Sequence, residues 1–192
     1  MILNDEVSAI GALTNPNKLQ KTFKSVNRSK ITATTITKYI EYLEDAFLIE
    51  EAVRYDIKGK SYIGTPLKYY FMDMGLRNAR INYRQIEITH SMENVIYNEL
   101  RMRGFSVDVG NLTIVENGKD GKAVKKHLEV DFICNKGSKK YYIQSAYRLG
   151  TEEKSAQEIR PFLKINDSFK KIVITSDTPK RSEERRVGKE CR

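Results

Sequence analysis

Between His127 and Ala146 the sequence sets two carboxylates on one side of an extended segment. In His127-Leu-Glu-Val-Asp-Phe-Ile-Cys134, alternation puts Glu129, Asp131 and Ile133 on one face and Leu128, Val130 and Phe132 on the other. Asn135-Lys-Gly-Ser138 supplies a turn. Tyr141-Tyr-Ile-Gln-Ser-Ala146 is the returning strand, so the pair reads as a β-hairpin with Gln144 across from the acids. Two carboxylates sharing a face are costly to bury unless they are wet, paired with a cation or bound to a metal. Oxygen donors of this kind suit a hard metal cation. A salt bridge from Asp131 to a nearby lysine is the purely structural alternative.

The elements that must position this hairpin follow it and precede it. Ser91 to Arg103 has helical periodicity, with Ser91 as cap, Glu93 in the first turn, and Val95, Ile96 and Leu100 as the apolar stripe. Gly104 ends it. Phe105–Val109 and Leu112–Val115 read as two short strands, and Glu116–Lys122 as a loop. Thr151 to Leu163 is a helix whose last turn contains Pro161. Phe169 to Thr175 closes with a buried apolar run. Helix, strands, helix, strand is an α/β (α+β) core with a mixed sheet.

The first half has different composition. From Val7 to Ile40 there is no acidic residue, while Lys18, Lys21, Lys24, Arg28, Lys30 and Lys38 all fall there. Thr14-Asn-Pro16 is a helix start, and Lys18, Lys21, Lys24 and Arg28 then recur on one helical face. Thr35 to Phe47 repeats Ile36, Tyr39, Ile40, Leu43 and Phe47 at helical spacing. Leu48–Tyr55, a Lys58-Gly-Lys60 turn and Ser61–Phe71 then read as strand, turn, strand. Helix, helix, hairpin is the outline of a winged helix, with Thr35–Phe47 as recognition element and Lys58 and Lys60 at the wing tip. The same stripes also suit plain core packing, and Glu41, Glu44 and Asp45 would repel phosphates. Asp73 is placed to cap a short turn. The expected organisation is residues 1–80 winged-helix-like, 81–90 linker, 91–180 core, and 181–192 a charged tail that reads as non-native and disordered.

The 34 Lys and Arg against 25 Asp and Glu give a net charge of +9. The last twelve residues hold five basic and three acidic groups, so the basic excess belongs to the body of the chain. That permits nucleic-acid binding. No apolar run of about 18 residues occurs, which argues against a membrane partner, and the first residues lack a signal-peptide pattern. The two cysteines form neither a disulfide framework nor a metal pattern, which suggests a reducing, cytoplasmic setting. Gly59-Lys60-Ser61 lacks the earlier glycine of a phosphate-binding loop, since Arg54 stands there. His90 and His127 have no zinc-ligand spacing.

The acid on one strand facing a second hairpin strand resembles the core of the PD-(D/E)xK nuclease superfamily, whose restriction-endonuclease-like fold the element order also matches. Six blocks also resemble the C-terminal half of prokaryotic AAA-type ATPases, domain-of-unknown-function family 4143. They are Tyr39–Leu48, Tyr55–Lys60, Lys68–Leu76, Glu93–Leu100, Glu129–Ile133 and Tyr142–Gln144. That resemblance implies a winged helix plus a nuclease-like domain, with the ATPase module, and its ATP, lying outside this chain. By the same resemblance Glu93, Asp131 and Gln144 would line the catalytic site. Glu93, Glu129 and Asp131 would be the candidate Mg²⁺ ligands. The match is incomplete. Gln144 replaces the second acid and Ala146 stands where the lysine belongs, leaving Lys125, Lys139 or Lys140 as substitutes.

Three functions follow as expectations. The first is a DNA- or partner-binding module with a degenerate nuclease-like domain, contacting DNA through Lys18, Lys21, Lys24, Arg28, Lys38, Lys58 and Lys60. The second is a Mg²⁺-dependent DNA nuclease with a variant site. The third is a protein-interaction or regulatory unit using Tyr42, Tyr83, Tyr97 and Tyr147, whose partner is an ATPase module or another protein.

Overall fold

The computed structural model describes residues 12–27, 30–83, 87–117, 120 and 122–177. In chain order the elements are α1 (Pro16–Asn27), α2 (Ala33–Asp45), β1 (Ile49–Asp56), β2 (Ser61–Phe71), α3 (Met74–Arg80), α4 (Ile88–Met102), β3 (Ser106–Asn117), β4 (Ala123–Lys136), β5 (Lys139–Ala146), α5 (Glu152–Leu163) and β6 (Lys170–Thr175). The fold is α/β, with one mixed six-stranded sheet in the order β2-β1-β3-β4-β5-β6.

Local chemistry sets most boundaries. Asn15 caps α1 by accepting the Lys18 N–H at 2.8 Å, with Pro16 at the first helical position. Thr32 caps α2, Asp73 caps α3 and Thr151 caps α5 in the same way. Asp56 Oδ1 accepts from the backbone N–H of both Lys58 and Gly59 at 3.0 Å, fixing the β1–β2 turn. Gly104 takes φ +77° directly after α4.

Helix α4 departs from expectation. It begins at Ile88, inside the expected linker, with Glu87 at its cap position. Ser91 sits within the first turns, its N–H bonded to the Glu87 carbonyl and its hydroxyl buried without a partner. The buried stripe runs through Glu93, Ile96, Tyr97 and Leu100 at helical spacing: Val95 is 54% exposed, whereas Tyr97 is 1% exposed and stacks on Tyr70 with ring centroids 4.1 Å apart. Tyr97 is therefore core and offers nothing to a partner. The two short strands expected after α4 are one continuous strand, β3, because Gly110 and Asn111 stay extended within the sheet.

The sheet is covered on both sides. Ile96, Tyr97 and Leu100 of α4 pack on Tyr70, Val109, Phe132 and Cys134. Tyr69 and Phe71, adjacent to Tyr70 and so on the other face, pack with Leu19 and Phe23 of α1 and Ile36 and Ile40 of α2. Phe162 of α5 packs with Leu112, Val130, Ile133 and Tyr142 on that same far side. The helix–helix–hairpin order of the first half is as expected, but its hairpin joins the common sheet. β1 pairs in parallel with β3 over Arg54–Val109, Tyr55–Gly110 and Asp56–Asn111. Arg54 Nη2 donates to Asn111 Oδ1 at 2.8 Å, and the Ile57 N–H to the Asn111 carbonyl at 2.9 Å. Among the described residues no helix is long and apolar enough to cross a membrane.

Gly110 is held by close approach. A Cβ there would lie 2.8 Å from Val130 Cβ and 3.2 Å from both Ile133 Cγ1 and Ile57 Cδ1. Gly110→Ala is expected to destabilise the fold by about 1–3 kcal/mol, read as a lower urea midpoint.

Candidate functional site

A register shift aims the acidic strand. Asp108 of β3 lies opposite Ile133, but Gly110 lies opposite Val130, so β4 carries one extra residue between them. Such a bulge interrupts the alternation of side chains. Phe132 and Cys134 thus pack under α4, whereas Leu128, Val130 and Ile133 lie in the α5 core. The expected grouping of Phe132 with Leu128 and Val130 fails for this reason. Gly110 makes the shift possible by leaving room for Val130.

On the α4 side the sheet gathers a charged cluster. Lys68 of β2 is only 3% exposed, and its Nζ lies 2.9 Å from Glu93 Oε1 and 2.6 Å from Glu129 Oε1. Tyr70 Oη donates to the same Glu93 oxygen at 2.6 Å. Asp131 sits beside them, with its Oδ2 accepting the Ser145 N–H at 2.7 Å. Burial alone would lower the pKa of the Lys68 ammonium, but the charges of Glu93, Glu129 and Asp131 outweigh burial and raise it. Asp131 is pushed up to about 7, first by burial and then by Glu93, against the opposing pull of Lys68 and the Ser145 hydrogen bond. Burial raises the Tyr70 hydroxyl far above its ordinary range, and Glu93 adds to this.

The structure therefore brings Glu93, Glu129 and Asp131 together, with Lys68 among them. Gln144 is adjacent but turned differently. Its Oε1 accepts from the Asp131 backbone N–H at 3.4 Å, and its Nε2 donates to Glu158 of α5 at 3.3 Å. Ala146 is buried in β5 beside Thr175 of β6. The lysine at the acids is thus neither Lys125, Lys139 nor Lys140, but Lys68. The signal in the sequence was weak: one lysine inside an otherwise apolar strand end, Leu67-Lys-Tyr-Tyr-Phe71, which only buried acids would stabilise there.

As arranged, this donor set does not fit Mg²⁺. The ammonium takes one oxygen each of Glu93 and Glu129, and a backbone N–H takes one oxygen of Asp131. Among the described residues no group of three or more His, Cys, Asp or Glu is spaced to hold a metal ion.

The expected DNA-contacting residues fall into two separate groups. Lys18, Lys21, Lys24 and Lys38 are exposed on α1 and α2, whose apolar faces are turned to the core. Lys58 and Lys60 are exposed at the β1–β2 turn. Thr14, just before α1, bridges to Leu67, six residues along β2 from Ser61. At about 3.3 Å per residue, that puts the groups on the order of 20 Å apart. Arg28 lies outside the described residues, as does the tail from residue 178.

Comparison with known proteins gives a domain of unknown function, DUF8612, whose family model matches residues 2–87. The chain is 38% identical over 166 residues to an uncharacterized protein of Haemophilus influenzae, covering 86% of this chain and 37% of that protein. It is 31% identical over 166 residues to the uncharacterized protein MJ1544 of Methanocaldococcus jannaschii, covering 83% of this chain and 34% of that protein. The chain thus spans about a third of the length of these relatives. No solved structure matches it. These findings overturn the resemblance to family 4143, and with it the reading as an AAA-type ATP-binding protein: the family model that matches is DUF8612, and both relatives are described only as uncharacterized proteins. The six blocks that suggested it are stretches of α2, the β1–β2 hairpin, α4, β4 and β5. Their apolar spacing is what helices and strands of any α/β sheet require, so it did not discriminate between families.

Lys68→Ala would leave two acids without their buried counter-charge. It is expected to lower stability by about 3–5 kcal/mol in urea unfolding, and Lys68→Ala/Glu93→Gln should recover part of that loss. Asp131 has a folded pKa above its unfolded value of about 3.9, so the folded state keeps its proton longer. Its contribution to stability is full below pH 4 and is lost as pH rises to about 7. Asp131→Asn should lack that loss, so its urea midpoint should gain on the parent's across this range.

Proposed function

We propose that this chain is a duplex-DNA-binding module built on a nuclease-like core that does not cut. The observation that carries the reading is the Lys68 ammonium bridging Glu93 and Glu129. An internal cation supplies the counter-charge that a metal ion supplies in a phosphodiester-cleaving site, and Ala146 leaves β5 without its lysine. The nuclease-like reading is supported by a mixed sheet with helices on both faces and by acids on α4 and β4 that meet at one place.

The binding half of the proposal is supported by α1 and α2. Their apolar sides are used against Tyr69 and Phe71, which leaves Lys18, Lys21, Lys24 and Lys38 to solvent. In the winged-helix reading α2 is the recognition helix, and Thr34, Thr37 and Lys38 line a shallow hollow with Asn15 and Asn17 at the start of α1. Such residues donate to phosphates and base edges. Glu41 at the rim of that hollow favours register over affinity, since it repels a misplaced phosphate.

Fluorescence anisotropy with a duplex of about 20 base pairs tests the proposal. Affinity should fall linearly with the logarithm of salt concentration, and Lys21→Glu/Lys24→Glu should weaken binding about tenfold or more. Supercoiled plasmid should stay intact with excess protein and Mg²⁺ or Mn²⁺. Salt-independent affinity would overturn the binding half. Cutting that disappears in Asp131→Ala would overturn the non-cutting half.

A further inference from the structure

We propose a second binding site, for a phosphorylated nucleoside, in the hollow between the β1–β2 turn and the loop from α5 to β6. The ligand is either a free nucleotide or the phosphorylated end of a single strand. The hollow has a volume of about 520 Å³, within the range of small-ligand sites. It lies toward the α5 side of the sheet, where Tyr55, Leu112 and Tyr142 pack, away from the Lys68 cluster under α4. It is also remote from the lysines of α1 and α2, so it stands apart from the duplex site proposed above.

Four lysines converge there: Lys58 and Lys60 from the turn, Lys140 from β5 and Lys164 at the end of α5. Among the described residues none of the four has a carboxylate within ion-pair distance. The acids nearest in the chain are already engaged. Asp56 holds the backbone of the turn. Asp167 accepts from Tyr142 Oη at 2.6 Å and from the Phe169 N–H at 3.2 Å. Asp167 also lines the hollow and Lys140 also faces the charge of Asp108, but the four lysines outnumber these acids, and an anion placed among them relieves their mutual repulsion.

The aromatic rings make the site more than a basic patch. Lys140 Nζ lies 5.5 Å from the ring centroids of both Tyr55 and Phe169, so its charge is held between two ring systems. Phe169 remains 41% exposed at the rim. A phosphate among the lysines leaves an attached base within reach of that ring, where stacking is indifferent to base identity.

Isothermal titration of the full chain with inorganic phosphate, adenosine 5′-monophosphate, and short oligothymidylate with and without a 5′-phosphate tests this. Adenosine monophosphate should bind more tightly than inorganic phosphate, and Phe169→Ala should erase that preference. Lys58→Glu/Lys60→Glu, both at an exposed turn, should weaken nucleotide binding about tenfold or more, and Phe169→Ala should leave duplex affinity unchanged. Tighter binding of the 5′-phosphorylated oligonucleotide than of the mononucleotide assigns the site to strand ends. The reverse order assigns it to free nucleotides. No binding at millimolar nucleotide, or binding unchanged in Lys58→Glu/Lys60→Glu, overturns the site. Equal affinity for phosphate and adenosine monophosphate overturns its nucleoside specificity. Loss of duplex binding in Lys21→Glu/Lys24→Glu alone bears only on the duplex site.

Discussion

A buried ammonium is tolerated only where carboxylates surround it, and Lys68 meets that condition by drawing three elements together. Glu93 comes from α4, Glu129 from β4, and Lys68 itself from β2, with β1 and β3 between it and β4 in the sheet. Lys68 and Glu93 would not stay buried without each other, while Glu129 reaches the ammonium from the edge of the cluster with a third of its side chain exposed. The hydroxyl of Tyr70 shares the Glu93 oxygen, and the ring of Tyr70 stacks on Tyr97 of the same helix. The residue after Glu93, Asn94, grips β2 as a partner strand would: its Oδ1 accepts the Phe71 N–H at 2.9 Å and its Nδ2 donates to the Phe71 carbonyl at 2.7 Å. Charge, ring stacking and amide hydrogen bonds thus fix α4 over the sheet in one position.

What the sequence revealed is what neighbouring residues decide among themselves. Asn15, Asp73 and Thr151 cap their helices through bonds that span three residues, and the two hairpins follow from their turns. What it hid is set by distant partners. Lys68 is 25 residues from Glu93, so its role depends on a fold that periodicity does not describe. The bulge at Asp131 and Phe132 depends on the missing side chain at Gly110, in another strand. The exchange of Val95 for Tyr97 in the core follows from helical spacing, since Glu93, Ile96, Tyr97 and Leu100 fall on one face and Val95 does not. The family likeness failed for a related reason, because its blocks recorded strand and helix periodicity.

The charge balance of the chain also acquires a location. Its acids are disproportionately committed: Glu93 and Glu129 to Lys68, Asp131 to Ser145, Glu116 to Lys126 and Arg160, and Glu50 to Arg101. Many lysines are not. The excess of +9 is therefore expressed at the surface, on α1 and α2 and around the β1–β2 turn. The two regions share no residue and no element, so each can be charge-reversed without touching the other.

The parallel contact of β1 with β3 is short, and Asn111 carries much of it. It receives Arg54 on its side chain and Ile57 on its backbone, and it also pairs with Glu129 of β4. A load applied at the N-terminal helices therefore reaches the acidic strand by two routes, backbone and amide bonds at Asn111 and the ion pair from Lys68 to Glu129. Only the second of these routes skips the β1–β3 pairing, so the buried ion pair also works as a strap across a seam of three paired residues.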